Sequence, residues 1–164
     1  MNVAASEFQK NEILKLREER FKKSLIEVDG IILEVLSQLK RYDKKICLIS
    51  NADIIDVMHW SKSPLSYLFD DAIFSYEVGY LKPHSEIYKL ALNRMNVSPE
   101  NCVFIGDGDS DELKGAKESG MKTILTGYLL NRDKLNYSNI HEFADYYVKD
   151  FKEIADILST FVKK

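Results

Sequence analysis

The sequence predicts an α/β protein built around a doubly wound parallel sheet. Short apolar runs alternate with amphipathic stretches along most of the 164 residues, which is typical of βαβ units. The runs are apolar throughout rather than alternating, so they are expected to form strands covered by helices on both faces. These predicted strands are residues 46–49, 72–74, 102–105, 123–125 and 146–148.

The first part of the chain lies outside this alternation. Residues 7–28 have the charge pairs and apolar spacing of a helix, and Asp29-Gly30 interrupts it. We therefore expect residues 1–29 to be a helical appendage and residues 30–164 to be the α/β core.

Further helices are predicted between the strands. Pro83 is expected at the first position of a helix, where its missing N–H costs nothing. Gly120 is expected to end a helix over residues 110–119, and Asp150 precedes a final amphipathic helix.

Composition excludes several classes of function. The net charge is −3 and the pI is near 5.7, with basic and acidic residues interleaved, which argues against a nucleic-acid binder. No apolar run approaches the roughly 18 residues that a membrane span needs, and the first ten residues do not resemble a signal peptide. Cys47 and Cys102 lie in apolar runs without metal-ligand spacing. We therefore expect a cytoplasmic protein with free thiols and no membrane partner.

Polar residues follow three of the predicted strands or turns. Ser50 and Asn51 follow the first strand, Lys82 lies in a Gly-Tyr-Leu-Lys-Pro turn, and an acidic run begins at Asp107. The carboxyl ends of parallel strands share one edge of a sheet, so these groups are expected to meet. A hydroxyl, an amide, an ammonium and carboxylates together suit a phosphate group held against Mg²⁺.

These segments resemble a known family. Residues 48–51 (Leu-Ile-Ser-Asn), 79–83 (Gly-Tyr-Leu-Lys-Pro) and 104–112 (Phe-Ile-Gly-Asp-Gly-Asp-Ser-Asp-Glu) resemble motifs II, III and IV of the haloacid dehalogenase-like (HAD) superfamily. The spacing onward resembles its phosphoglycolate phosphatase-like branch. The resemblance implies a Rossmann-like core and a Mg²⁺-dependent phosphohydrolase that acts on a small phosphorylated metabolite through an aspartyl-phosphate.

The resemblance also implies residue roles. Ser50 and Asn51 would bind the phosphoryl group, and Lys82 would bind it too while neutralising charge during catalysis. Asp107 would associate with Mg²⁺. Counting forward from the glycine favours Asp111 as the second metal-associated carboxylate, and counting back from Gly115-Ala116 selects Glu112 instead.

One family element has no counterpart here. Motif I is an Asp-x-Asp at the end of a first strand, and its first aspartate is the nucleophile. The aspartates upstream of Ser50 are Asp29 and Asp43, and neither follows a strand nor has the Asp-x-Asp spacing. The core is therefore expected to lack its first, central strand, and residues 1–29 resemble the last helix of a cap domain. Residues 46–49 would then either flank a gap or pair directly with residues 102–105.

This pattern leaves two functions open. In the first, the chain is the C-terminal part of a HAD-type phosphohydrolase, inactive alone and complemented by an N-terminal segment. Alternatively, it is a non-enzymatic remnant that acts as a binding module. Exposed strand edges invite pairing with other chains, so self-association is also expected.

Overall fold

Parallel strands alternate with helices along the chain, as the computed structural model describes it for residues 6–129 and 142–161. The strands are β1 (Cys47–Ser50), β2 (Asp71–Phe74), β3 (Val103–Gly106), β4 (Lys122–Thr126) and β5 (Tyr146–Val148). The helices are α1 (Glu7–Ile26), α2 (Gly30–Arg41), α3 (Ile54–Val57), α4 (Ser75–Val78), α5 (Ser85–Met95), α6 (Glu112–Glu118) and α7 (Glu153–Thr160). Short 3₁₀ turns cover Trp60–Lys62, Pro64–Tyr67, Pro99–Asn101 and Asp109–Asp111. The predicted α/β class is confirmed.

The strands form two parallel sheets. β1 pairs with β2 from Cys47↔Asp71 to Ser50↔Phe74, and β4 lies between β3 and β5 in the other sheet. Within the described residues, β1 and β3 do not pair with each other. Of the two expectations for this region, the structure has the gap and not the direct pairing.

One layer of apolar side chains spans both sheets. Ile87 and Tyr88 of α5 are fully buried against Ile73 of β2, in a cluster that also contains Ala116 of α6. Side chains of both sheets pack against this cluster: Cys47 and Ile49 of β1, and Phe104 of β3. The two sheets therefore share a single covering layer of helices.

A second apolar cluster covers the opposite face of the β3–β4–β5 sheet. It joins Val35 of α2, Ile124 of β4 and Ile154 of α7, with Val103 and Ile105 of β3 packed against it. Neighbouring residues of a strand point to opposite faces, so Phe104 contacts one layer while Val103 and Ile105 contact the other. Helices on both faces of this sheet are the doubly wound arrangement that the sequence predicts.

The first helix has no buried residue and docks through polar contacts. Ser6 and Gln9 form a capping box at its start. The Arg17 guanidinium donates to both carboxylate oxygens of Asp56, just after α3 begins, at 2.6 and 2.7 Å. Within the described residues, no helix is long and apolar enough to cross a membrane.

Two predicted helix starts are wrong. Helix α5 begins at Ser85, because His84 is extended and its N–H donates to the Leu81 carbonyl at 2.9 Å, which leaves Pro83 inside a turn. Helix α6 begins at Glu112 rather than near residue 110, because Ser110 and Asp111 have φ of 57° and 52°. Such left-handed backbone is incompatible with a right-handed helix.

Candidate functional site

The predicted site residues lie at the carboxyl ends of β1 and β3 and in the turn before α5. Ser50 is the last residue of β1 and Asn51 follows it, while Asp107 follows β3 directly. The parallel sheets place these ends at one edge, as the sequence predicts. Lys82 reaches the same edge from the turn after α4.

The Asn51 side chain holds the Lys82 segment in place. Its amide Nδ2 donates to the Lys82 carbonyl at 2.9 Å, and its Oδ1 accepts from the Lys82 N–H at 2.7 Å. This pair of bonds fixes the backbone of the lysine relative to the end of β1. In this structure the Asn51 side chain therefore holds the backbone of Lys82. Its contact with a phosphate group stays a prediction.

The Lys82 ammonium pairs with the Glu112 carboxylate. Nζ lies 2.5 Å from Oε2, and the side chains are only 13% and 7% exposed. The other carboxylate oxygen accepts from the Gly108 N–H at 3.3 Å. Nζ also lies 5.8 Å from the centre of the Phe104 ring, within range of a cation–π contact. Because the pair is shielded from water, removing either charge would leave the other buried without an opposite charge nearby.

Two glycines make room for this ion pair. A Cβ on Gly106 would collide with the Glu112 carboxyl group. A Cβ on Gly115 would lie 2.5 Å from the Pro83 carbonyl oxygen and 2.8 Å from the Tyr88 ring. The turn carrying the lysine and the helix carrying the glutamate can approach each other only because these positions lack side chains.

Tyr88 of α5 contacts the start of α6, the helix that carries Glu112. Its hydroxyl donates to the Glu112 carbonyl at 2.8 Å inside the core. Burial, with a smaller contribution from the charge of Glu112, raises the pKa of Tyr88. The phenol therefore stays neutral and a donor at physiological pH. This hydrogen bond could not be predicted from the sequence, because periodicity shows which residues are buried but not which hydroxyl finds a partner.

The acidic loop, residues 107–111, contains hydrogen bonds between neighbouring residues. Asp107 accepts from the Asp109 N–H at 3.0 Å, and Asp109 accepts from the Ser110 N–H at 2.9 Å. Asp111 is exposed and stands at the start of α6, whereas Glu112 points into the ion pair. The choice between these two acids as a metal ligand stays a prediction, and the geometry places Glu112 nearer to Lys82.

The described residues do not by themselves fit a metal centre. Across residues 6–129 and 142–161, no group of three or more His, Cys, Asp or Glu side chains is placed to hold an ion. Glu112 is engaged by Lys82, and the acids of the loop are spread along a turn. A Mg²⁺ site here would need oxygen ligands from outside this group.

One further polar group was missed by sequence reasoning. Ser75, at the start of α4, accepts from the Ala52 N–H and donates to the Ala52 carbonyl, both at 3.0 Å. It ties the loop after β1 to the helix after β2. Its only signal in the sequence is a serine directly after a predicted strand, which is too common to assign a partner.

A known hydrolase family matches most of this chain. The chain belongs to the haloacid dehalogenase-like hydrolases, whose family model matches residues 4–120. The segments resembling motifs II and III lie wholly inside that range, as does the acidic loop.

Curated relatives include phosphatases. The chain is 31% identical over 134 residues to glyceraldehyde 3-phosphate phosphatase of Methanocaldococcus jannaschii, which covers 80% of this chain and 56% of the relative. It is 34% identical over 99 residues to bifunctional epoxide hydrolase 2 of Rattus norvegicus, covering 57% of this chain and 18% of that protein. The chain thus spans about half the length of the phosphatase relative.

Solved structures agree in fold. A Thermotoga maritima protein assigned as a β-phosphoglucomutase is 26% identical with a TM-score of 0.75, over 97% of this chain and 72% of that one. A dehalogenase structure has a TM-score of 0.66 at 21% identity and supports the fold alone.

Proposed function

We propose that this chain is the C-terminal part of a Mg²⁺-dependent HAD-type phosphohydrolase that acts on a small phosphate ester and is inactive alone. The observation that carries this is the anchored Lys82, held by Asn51 at the sheet edge where Ser50 and Asp107 also lie. The phosphatase relatives support the choice of a phosphate ester as substrate class.

The residues of this chain would bind and position the phosphoryl group. The Ser50 hydroxyl donates to its oxygens, and the Lys82 ammonium neutralises charge that builds up on them. Lys82 must then share its charge between Glu112 and the incoming phosphate. The nucleophilic aspartate comes from a segment outside this chain, because no Asp-x-Asp precedes Ser50.

Mg²⁺ belongs to the assembled site rather than to this chain alone. Asp107 is the carboxylate that this chain is proposed to contribute, with Asp111 or Glu112 as a second. When bound, the ion would supply charge stabilisation to a phosphoryl group. The isolated chain should therefore bind Mg²⁺ too weakly to give a calorimetric signal at micromolar protein concentration.

A chimaera tests this proposal. Whatever part of the Methanocaldococcus jannaschii phosphatase precedes its segment similar to this chain is joined to Met1, and hydrolysis of an aryl phosphate is measured with Mg²⁺. We expect turnover from the chimaera, none from the chain alone, and loss of turnover on Asp107→Ala. An Asp→Asn change at the donated nucleophile is the matched control.

Two results would contradict the proposal. Turnover by the chain alone that Asp107→Ala abolishes would show that the nucleophile is already present. A folded chimaera without turnover on any phosphate ester tested would favour the second candidate, a non-enzymatic binding module. The observation favouring that candidate is that Glu112 already neutralises Lys82 in this chain.

A further inference from the structure

Residues 75–82, here called the lysine segment, are attached to the loop after β1 at both ends. At the first residue, the Ser75 hydroxyl accepts from the Ala52 N–H and donates to the Ala52 carbonyl, both at 3.0 Å. At the last residue, the Asn51 side chain donates to the Lys82 carbonyl and accepts from the Lys82 N–H. Two neighbouring residues, Asn51 and Ala52, therefore hold both ends of the lysine segment.

The two attachments differ in their exposure to water. Ser75 is buried, whereas Asn51 is exposed. Water competes for the hydrogen bonds of an exposed amide, so these bonds contribute little net free energy and open readily. A buried hydroxyl finds few water molecules to replace a lost partner, so the Ser75 attachment is the more costly of the two to open.

Helix α4 carries the position of Ser75 along the lysine segment. The Tyr76 N–H donates to the Ala52 carbonyl at 3.3 Å, beside the Ser75 hydroxyl. The helix ends at Gly79, which has left-handed backbone with φ of 75° and donates its N–H to the Ser75 carbonyl at 2.8 Å. Only two residues then separate Gly79 from Lys82. Once Ser75 is fixed, little chain is left that could move the lysine.

We infer that Ser75 is a positioning residue for Lys82, which it holds at the sheet edge through Ala52 and helix α4. Its hydroxyl bonds the backbone of Ala52, so it acts on the lysine only through the ends of the lysine segment. Its importance for chemistry rests on the proposed function, in which the Lys82 ammonium neutralises charge on a phosphoryl group. A shifted backbone would move that ammonium out of position for charge stabilisation.

A purely structural role for Ser75 predicts a different response to its removal. The Ala52 N–H would lose its acceptor and the domain would lose stability, while the Asn51 side chain would keep Lys82 in place. Positioning requires more, namely that the Lys82 N–H at the far end of the lysine segment also loses protection.

Amide hydrogen exchange of the full chain, followed residue by residue by NMR, distinguishes these roles. In Ser75→Ala, the Lys82 amide should exchange about tenfold faster than in the parent chain, because the lysine segment opens at its buried end. The Ile124 amide, in the ladder between β3 and β4, reports global unfolding. Its rate shows how much of any change is a general loss of stability.

Two further variants serve as controls. Ser63 is also a buried serine, and its hydroxyl accepts from the Leu65 N–H at 3.2 Å, outside the lysine segment. Ser63→Ala should leave the Lys82 rate within about twofold of the parent rate, even where it speeds exchange at Ile124. Ser75→Thr keeps the hydroxyl and should also retain most of the protection at Lys82.

A second measurement asks whether the position of Lys82 matters for chemistry. In the chimaera that tests the proposed function, Ser75→Ala should lower kcat about tenfold and change KM for the aryl phosphate by less than about twofold. The reason is that a displaced ammonium stabilises the developing charge less well. Ser63→Ala should leave both constants unchanged.

Three results would overturn the inference. Faster exchange at Ala52 without any change at Lys82 in Ser75→Ala would mean that Ser75 holds its own loop alone. Equal acceleration at Lys82 in Ser75→Ala and Ser63→Ala would mean general destabilisation. Loss of protection at Lys82 in Ser75→Thr as large as in Ser75→Ala would mean that the hydroxyl is not what holds the segment.

Failure of the proposed function gives a separate result. A chimaera without turnover contradicts the proposed function alone, because the exchange rate of the Lys82 amide decides the role of Ser75 without any activity.

Discussion

Strand β4 and strands β1 and β3 have similar apolar sequences but different surroundings. β4 lies between two partners, and Thr123, Ile124 and Leu125 are almost completely buried. β1 and β3 each have one partner, and all their residues remain half-buried. The apolar character of a strand therefore does not decide its burial alone. The number of neighbouring strands contributes, and so do the covering helices, since Ile73 of β2 is fully buried with one neighbouring strand.

The largest effect is expected at the ion pair between Lys82 and Glu112, which links the turn after α4 to α6. Lys82→Met leaves the Glu112 carboxylate buried without a charged partner, which should lower the free energy of unfolding by about 3–5 kcal/mol. Urea unfolding followed by circular dichroism measures this.

A double substitution separates charge from packing. Lys82→Met combined with Glu112→Gln removes both charges, so most of the loss should return. If the double variant is as unstable as Lys82→Met alone, the Lys82 and Glu112 side chains stabilise the fold through packing and not through their charges.

The contrast between strands can be measured directly. Ile124→Ala in β4 should cost about 2–5 kcal/mol, because the side chain is fully buried and leaves a cavity. Ile49→Ala in β1 should cost clearly less, because that side chain is only half-buried. Equal costs in chemical denaturation would mean that β1 is covered in solution by something absent from this chain.

Much of the fold is readable in the sequence because it depends on local patterns. The five strands and the ends of α1 follow from apolar runs and breaker residues, and each lies within a few residues of its predicted place. The start of α6 could not be predicted, since the left-handed backbone of Ser110 and Asp111 is set by the loop around them and not by their own preference.

The site was predictable in its position but not in its contacts. Strand order and strand ends bring Ser50, Lys82 and Asp107 to one edge. Counting forward from the glycine favours Asp111 over Glu112 as a metal-associated acid, which stays a prediction, but counting could not show that the Glu112 side chain turns inward to Lys82. That orientation depends on Gly106, whose missing side chain leaves room for the Glu112 carboxylate.

A smaller effect is expected when the buried hydroxyl of Tyr88 is removed. Tyr88→Phe removes one buried hydrogen bond to the Glu112 carbonyl and should lower the free energy of unfolding by about 1 kcal/mol. Tyr76→Phe is the matched control, because its hydroxyl bonds Glu77 on the surface and should contribute nothing measurable. A loss of similar size in both variants would place the effect outside the core.

The smallest effect concerns the docking of α1, which lies away from both sheets. The hydrogen bond from Arg17 holds the pKa of Asp56 below its usual range, despite partial burial that raises it. A lowered pKa means that the ionised carboxylate stabilises the fold above about pH 4, and that this contribution is lost as pH falls through the lowered value. Arg17→Met should therefore reduce the melting temperature at pH 7 by about 1–2 °C, and the difference from the parent chain should shrink below pH 4. A difference that stays constant down to pH 2.5 would show that Arg17 holds α1 through its aliphatic stem rather than through its charge.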